Sequence, residues 1–551
     1  MSVPKLEYSK KRWAHPFLWV SFLINGGFFF LVLFFTKPIY KSDDDVFLAY
    51  LLGGGFGKPP TALLHYNHGM HPLLGVMLKS LFTWMGSINW YTVFLYLCHF
   101  IACNIILLRF LKLIELKIAL GLYTLLFIVF ECRFLMQPTF TSAAILLGIG
   151  GLVLLLTSLQ GLELKRSQMI IGFLVLILAA LIRIHVLLPL VGISLPFIFF
   201  TWPFRAMGHC LIFLILSTGL IILLNLFHQS YYKSKIDGWD KDEKYRQAFF
   251  HYINHPHAVR DSSEFSSWST ESNLARNGLL IDPKFVTERK LYAISNQYGP
   301  RSLRALVDNK WLYLQNRIYF ITLLVIALYI RFDRRQKVAF FTSTLLSIFG
   351  ILYLSIYEKV PPYLFTALFF FLGILMILHS QPRKAPSKIK YVQTTCLLLM
   401  CIWGFIQLYK INSNNKKNNE YFRSAYKELD THNKTLFLVT DDEFPLDNFY
   451  VWDTPGKYKI ENLVYKENLL ADDYVYILKR FQLQSLSQLP EKENVLLWGK
   501  RSPGLIEYYQ KISGHGIIVS GPLKEFKHEV YSIRFADSAE NSLQGHGMDR
   551  P

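Results

Sequence analysis

Long apolar runs alternate along this chain with short basic clusters, and that alternation sets the first expectation. A helix needs ~20 apolar residues to cross ~30 Å of hydrocarbon. Runs near that length occupy Pro16–Thr36, Trp90–Leu111, Ile118–Phe134, Thr139–Leu159, Met169–Ile184, Val186–Thr201, Gly208–Phe227, Leu312–Ile330, Val338–Tyr357, Tyr363–Ser380 and Tyr391–Leu408. They predict an all-α polytopic membrane protein of about eleven transmembrane helices. The shorter apolar stretch His71–Met85 reads as a helix lying on or dipping into the interface. No small-residue cleavage site follows the first run, which reads as a retained span.

After the last span the pattern changes. The segment INSNNKKNNE reads as a linker. Strand-length apolar runs then fall at Thr435–Val439, Tyr474–Leu478, Val495–Trp498, Ile517–Ser520 and Val530–Phe535, with a helical pattern over Pro503–Ile512. The expected organisation is a membrane core over 1–227 with an acidic first outer loop at 37–89, and a large, partly helical outer loop at 228–311. Further spans follow at 312–410, then a small soluble α/β domain at 411–535 and a polar, disordered tail at 536–551.

Charge adds an orientation. With a cytoplasmic N-terminus, the inside segments carry Lys10-Lys11-Arg12, Arg109/Lys112/Lys117, Lys165-Arg166, Arg205, Arg331/Arg334/Arg335/Lys337 and Arg383-Lys384/Lys388/Lys390. Every inside segment is basic and nearly free of acid, as the positive-inside rule requires. The first loop, the 228–311 loop and the C-terminal domain then lie outside. The net charge of +19 is therefore topogenic and does not point to nucleic acid. Only 18% of residues are charged and 52% are hydrophobic, against about a quarter charged in soluble chains. Six cysteines are too scattered for a disulfide framework, and Cys98, Cys103, Cys396 and Cys401 lie inside apolar runs as small packing residues.

Candidate chemistry concentrates in the first outer loop. Asp43-Asp44-Asp45 follows a span directly, and neighbouring carboxylates repel and raise one another's pKa. They read either as a general base or metal ligand, or as an acidic helix cap. His65, His68 and His71 have three-residue spacing, but Gly69 and the His71-Pro72 step break a regular helix; polar interfacial histidines are the plainer reading, with His71 the one to orient a substrate phosphate. Gly53-Gly54-Gly55-Phe56-Gly57-Lys58 lacks the setting of a nucleotide-binding loop and reads as a flexible substrate-side loop. Glu131 and Arg133 close the third span, Arg183 and His185 separate the fifth and sixth, and Glu358-Lys359 precedes Pro361-Pro362. Such residues either serve function or snorkel to the interface. Arg183, between two apolar runs, is the candidate phosphate clamp.

A first span, an acidic motif (Asp43-Asp44-Asp45), a His71-Pro72-Leu73-Leu74 segment opening an amphipathic helix and a second span resemble the GT-C class of glycosyltransferases over about Trp13–Phe200. The class often has His-Pro-Pro where this chain has His71-Pro72-Leu73, and a pair of acids where this chain has three. The resemblance implies a polyprenyl-phosphate-linked sugar donor, used on the outer face. It implies an essential acid in the first outer loop, where Asp44 and Asp45 stand, and a second at the next outer turn, where Glu131 stands. These three could share a divalent metal ion. The expected function is sugar transfer to a glycan, lipid or protein acceptor, with phosphate held by Arg183, Lys58, Lys359 or His71. The rivals are a transporter or flippase for a lipid-linked glycan, and a glycan polymerase or ligase. The expected location is a bacterial inner membrane, among membrane lipids.

Overall fold

A computed structural model of the protein describes residues 14–64, 70–159, 166–201, 204–254, 285–297, 316–357, 362–383, 386–440, 444–465, 474–499 and 503–536, with isolated positions at 270 and 274. The fold is mostly helical, and among the described residues eight helices are long and apolar enough to cross a membrane. In chain order the helices of the first half are α1 (Ala14–Phe35), α2 (Asp43–Gly53), α3 (Pro72–Trp84), α4 (Trp90–Leu113), α5 (Leu116–Leu126), α6 (Cys132–Met136), α7 (Phe140–Leu159), α8 (Arg166–Arg183), α9 (Leu187–Thr201) and α10 (Phe204–Lys235). The 228–311 segment contributes α11 (Trp239–Asn254) and α12 (Glu288–Gln297). Then come α13 (Asn316–Tyr329), α14 (Arg334–Tyr357), α15 (Pro362–Leu378) and α16 (Ser387–Thr431). A two-stranded pairing of β1 (Ile330–Arg331) with β2 (Gln381–Pro382) joins the ends of α13 and α15.

The apolar runs become helices close to where the sequence puts them, and the eleven expected spans divide differently. Met169–Ile184 and Val186–Thr201 form one apolar stretch, Ser167–Thr201, broken by a single 3-10 turn at Ile184–Val186. Two others, Arg317–Tyr329 and Tyr363–Leu378, are helices shorter than a full span. α7 is the centre of the bundle, buried along its whole length. It packs on α4 and most closely on α8. A Cβ at Gly151 would sit 2.9 Å from the carbonyl oxygen of Gly172, so only glycine lets these two backbones meet. Helices at the rim turn large apolar side chains outward, such as Leu23 and Phe34 of α1 and Ile215 of α10, as a lipid-facing surface does. α3 is amphipathic and exposes Leu73, Val76 and Trp84 while burying Leu74, Leu78 and Phe82.

The C-terminal region holds a five-stranded mixed sheet of β3 (Leu436–Val439), β4 (Leu463–Val464), β5 (Val495–Trp498), β6 (Ile517–Ser520) and β7 (Val530–Phe535) in the order β4-β3-β5-β7-β6. The pairs β3/β4 and β3/β5 are parallel, and β5/β7 and β6/β7 are antiparallel. One expectation is corrected here. Tyr474–Leu478 is not a strand but the start of α17 (Tyr474–Arg480), because Ile477 and Leu478 are buried three and four positions after Tyr474, a helical spacing. The second helix of this region, α18 (Pro503–Ser513), lies where its pattern predicted it.

The linker reading of INSNNKKNNE is also overturned. That segment lies inside α16, a single helix of 45 residues. Asparagine is a poor helix former in isolation. Here its side chains are hydrogen-bonded to the loops the helix passes. Asn415 Nδ2 donates to the carbonyl of Met136 (3.1 Å), Asn419 Nδ2 donates to that of Asn448 (3.1 Å), and Asn412 Oδ1 accepts from the backbone N–H of Lys37 (2.8 Å). Asn415, Asn419, Phe422, Ala425 and Leu429 form one buried face, so tertiary contacts override propensity. The proposed disordered tail falls almost wholly outside the described residues.

Candidate functional site

On a helix, successive side chains point about 100° apart, so three adjacent carboxylates cannot serve one purpose. At the start of α2 each of the three is directed elsewhere. Asp43 Oδ2 accepts from the hydroxyl of Tyr465, just beyond β4 (3.0 Å). Asp45 is fully buried, and its Oδ1 accepts from the hydroxyl of Tyr91 on α4 (2.6 Å) and from the backbone N–H of Phe140, the first residue of α7 (2.8 Å). Its Oδ2 has no hydrogen-bond partner. Asp44, between them, stays half-buried and interacts electrostatically with Asp45 and Tyr363. Burial pushes the Asp45 carboxyl up to about 8, and Asp44 adds to the rise. The bonds from Tyr91 and Phe140, and the charge of Arg183, oppose it.

Arg183 approaches the same place from the end of α8. The helix breaks there, and the guanidinium Nη1 donates to Thr141 Oγ1 (2.5 Å) while lying 5.0 Å over the ring of Phe140. The Tyr363 hydroxyl also bonds Thr141. The first turn of α7 thus carries the acid side of the site on Phe140 and the basic side on Thr141. The positive end of the α7 dipole faces Asp45, an interaction of about 0.3–2 kcal/mol in favour of the carboxylate.

Glu131 is not at a turn. It ends a π-helical turn, Phe127–Glu131, through which α5 continues into α6, and it is fully buried. Its Oε1 lies 2.7 Å from His99 Nδ1, and His99 Nε2 lies 3.2 Å from Ser142 Oγ. Glu131 is therefore committed to His99 on one side of the α7 turn while Asp44 and Asp45 lie at its start. Among the described residues no group of three or more His, Cys, Asp or Glu side chains is arranged around a metal position.

The remaining expected residues lie elsewhere. His71 caps α3: its Nδ1 accepts from the Leu73 N–H (3.2 Å), so its Nε2 carries the proton and donates to the carbonyl of Leu224 (3.1 Å). Both nitrogens are engaged within the protein, and burial holds this imidazole below its usual range. The glycine-rich loop forms a defined tight turn. Gly55 and Lys58 pair through both backbone bonds across a tight turn, with Phe56 and Gly57 at positive φ. Phe56 is buried against Phe47 and Tyr50. Lys58 turns to the C-terminal domain, 5.5 Å over the ring of Tyr476. Lys359, Glu358, His65 and His68 lie outside the described residues. Sequence reading missed His99, Tyr91, Tyr363 and Tyr465. A histidine inside an apolar run was the available signal for the first.

Comparison of the chain with protein-family models, with curated proteins and with solved structures returns no match.

Proposed function

We propose that this protein is a membrane glycosyltransferase of the GT-C kind, moving a sugar from a polyprenyl phosphate or diphosphate to an acceptor hydroxyl at the membrane surface that carries α2. The observation that supports it most is that Asp45 bonds Phe140 and Arg183 bonds Thr141, neighbours on the first turn of α7, with Asp44 next to Asp45 in the chain. Asp44 accepts the acceptor's proton, the acceptor oxygen bonds to the anomeric carbon, and the carbon–oxygen bond to phosphate breaks. With no second nucleophile the anomeric configuration inverts. Arg183 grips the departing phosphate with its planar fork, and the lipid chain lies along the apolar helices. A divalent cation, where used, would be held by Asp44 with Asp45 beside it, and would neutralise charge on the phosphate. The positive-inside charges support an N-in, C-out orientation, with the sheet domain outside a bacterial inner membrane.

The test uses the full chain in nanodiscs with a panel of polyprenyl-phosphate and polyprenyl-diphosphate sugars. With glycan, lipid and peptide acceptors added to take the sugar, donor consumption is followed as released polyprenyl phosphate or polyprenyl diphosphate, with Asp44→Asn as the blank. The reading predicts consumption of at least one donor by the wild type and none by the variant. No consumption and no binding of any donor sinks it. A row of buried polar groups leading inward from Ser142 favours the second reading, passage of a lipid headgroup. Its members His99, Glu131 and Ser142 are fully buried, and His99 bonds both of the others, which leaves no room for a headgroup.

A further inference from the structure

His99 and Glu131 take no part in the chemistry above, yet both are fully buried within the membrane bundle. Ionisable groups are rarely placed there without a use. Their bonding explains what they hold. Thr139 and Ser142 cap α7 reciprocally: Thr139 Oγ1 accepts from the Ser142 N–H (3.0 Å), and Ser142 Oγ accepts from the Thr139 N–H (3.2 Å). The one hydroxyl proton of Ser142 goes to the carbonyl of Thr139 (2.8 Å). His99 Nε2 must then be the donor to Ser142, and Nδ1 shares its proton with Glu131. On its other side Glu131 faces Cys103, whose single thiol proton serves either Glu131 or Tyr123, and Tyr123 on α5 donates to Asn25 of α1.

Buried bonds therefore tie the π-helical turn, α4 and α7 together at a single register, and a separate one ties α5 to α1, a use of buried polar groups that apolar packing does not supply. It ends on the α7 turn whose next two contacts are Phe140 N–H on Asp45 and Thr141 on Arg183. α4 supports that turn twice: Tyr91 reaches Asp45, and His99, two turns along, reaches Ser142.

We propose that His99 is a positioning residue: through Ser142 it fixes the first turn of α7 and so sets the placement of Asp44 and Asp45 relative to Arg183. The functional part of this inference rests on the donor site proposed above.

The experiment uses the full chain in nanodiscs with five variants: Ser142→Ala, His99→Gln, Arg183→Ala, His99→Phe combined with Glu131→Gln so that no buried charge is left unpaired, and that double change made on top of Arg183→Ala. Amide exchange over Thr139–Ala144 should be about tenfold faster in Ser142→Ala and in the double variant, with α7 beyond Gly148 unchanged, and His99→Gln should restore it to within about threefold. A polyprenyl monophosphate serves as the binding probe. The double variant should bind it about tenfold more weakly, with no further loss on top of Arg183→Ala, because the two act through one contact. Unchanged exchange in both Ser142→Ala and the double variant overturns the proposal, as does an equal loss of affinity with and without Arg183, the mark of general loosening. If Arg183→Ala alone binds the probe like the wild type, the donor reading fails and exchange with its rescue decides the role of His99. If the double variant does not fold, Ser142→Ala and His99→Gln decide it.

Discussion

The carboxylate of Asp43 accepts a 3.0 Å hydrogen bond from the hydroxyl of Tyr465, 422 positions away in the chain. This bond places the end of a parallel strand directly against the acidic start of α2. The neighbouring contacts repeat the theme. Tyr50 donates to the carbonyl of Tyr458, Asn89 to those of Val451 and Asp453, and Thr92 to that of Val451. The sheet domain and the first loop are built as one unit.

Asp43 is thus occupied by docking, and Asp43→Asn should keep most of the donor consumption while lowering thermal stability slightly, as for the loss of one hydrogen bond of about 0.5–1.5 kcal/mol. Asp44→Asn should lower the rate by about 10²–10⁴ with the fold intact. Rates and melting curves of the two variants, measured side by side, check the assignment. Equal rates for the two would place the chemistry elsewhere.

Arg183→Ala should weaken polyprenyl phosphate binding by at least tenfold, and Arg183→Lys by less, because an ammonium cannot form the paired bonds of a guanidinium (~1.4 kcal/mol per tenfold). Titration of the lipid phosphate into purified variants measures it. Wild-type affinity in Arg183→Ala would make the arginine a support for Thr141 and Phe140 only.

Asp45 makes stability depend on pH. Its folded-state pKa, about 8, lies above that of the unfolded chain, so the folded state holds the proton that the unfolded state gives up. The contribution is fully present below about pH 4 and is lost as pH rises to about 8. Asp45→Asn, which cannot ionise, should flatten this part of the profile. Melting temperatures in detergent from pH 5 to 9 test it, and an identical slope in variant and wild type counts against the buried, unpaired carboxylate.

Gly151→Val should prevent α7 and α8 from meeting, since even a Cβ there would lie 2.7 Å from Leu176. Loss of the folded monodisperse peak in size exclusion is expected. The same change at Gly219, which has nothing within 4 Å, should be tolerated.

Much of the membrane fold was legible because a spanning helix needs a minimum apolar length, and runs such as Phe140–Leu159 meet it. The strands β5, β6 and β7 were legible for the same reason, as short apolar runs between turns. What escaped depends on partners distant in sequence. Nothing local says that Asn415 and Asn419 will find Met136 and Asn448, so their segment read as a linker. Of the candidate site, Asp44, Asp45 and Arg183 were visible as charges at the ends of apolar runs. Their division of labour was not, because it depends on which helix each side chain meets. Glu131 was visible as a charge but misplaced by a turn and a half, since a π-helical turn hides where a helix ends.

α16 has one further consequence. At ~1.5 Å per residue its 45 residues make a strut of ~68 Å, of which only ~30 Å fits within hydrocarbon. A strut without a joint turns bilayer thickness into leverage: a change of about 5° in its tilt moves the far end by roughly 6 Å. Because the same strut is pinned to Lys37 and Met136 near the membrane and to Asn448 in the sheet domain, that leverage acts on the contact of Tyr465 with Asp43. A lipid thickness that tilts the strut would therefore reach the contact of Tyr465 with Asp43.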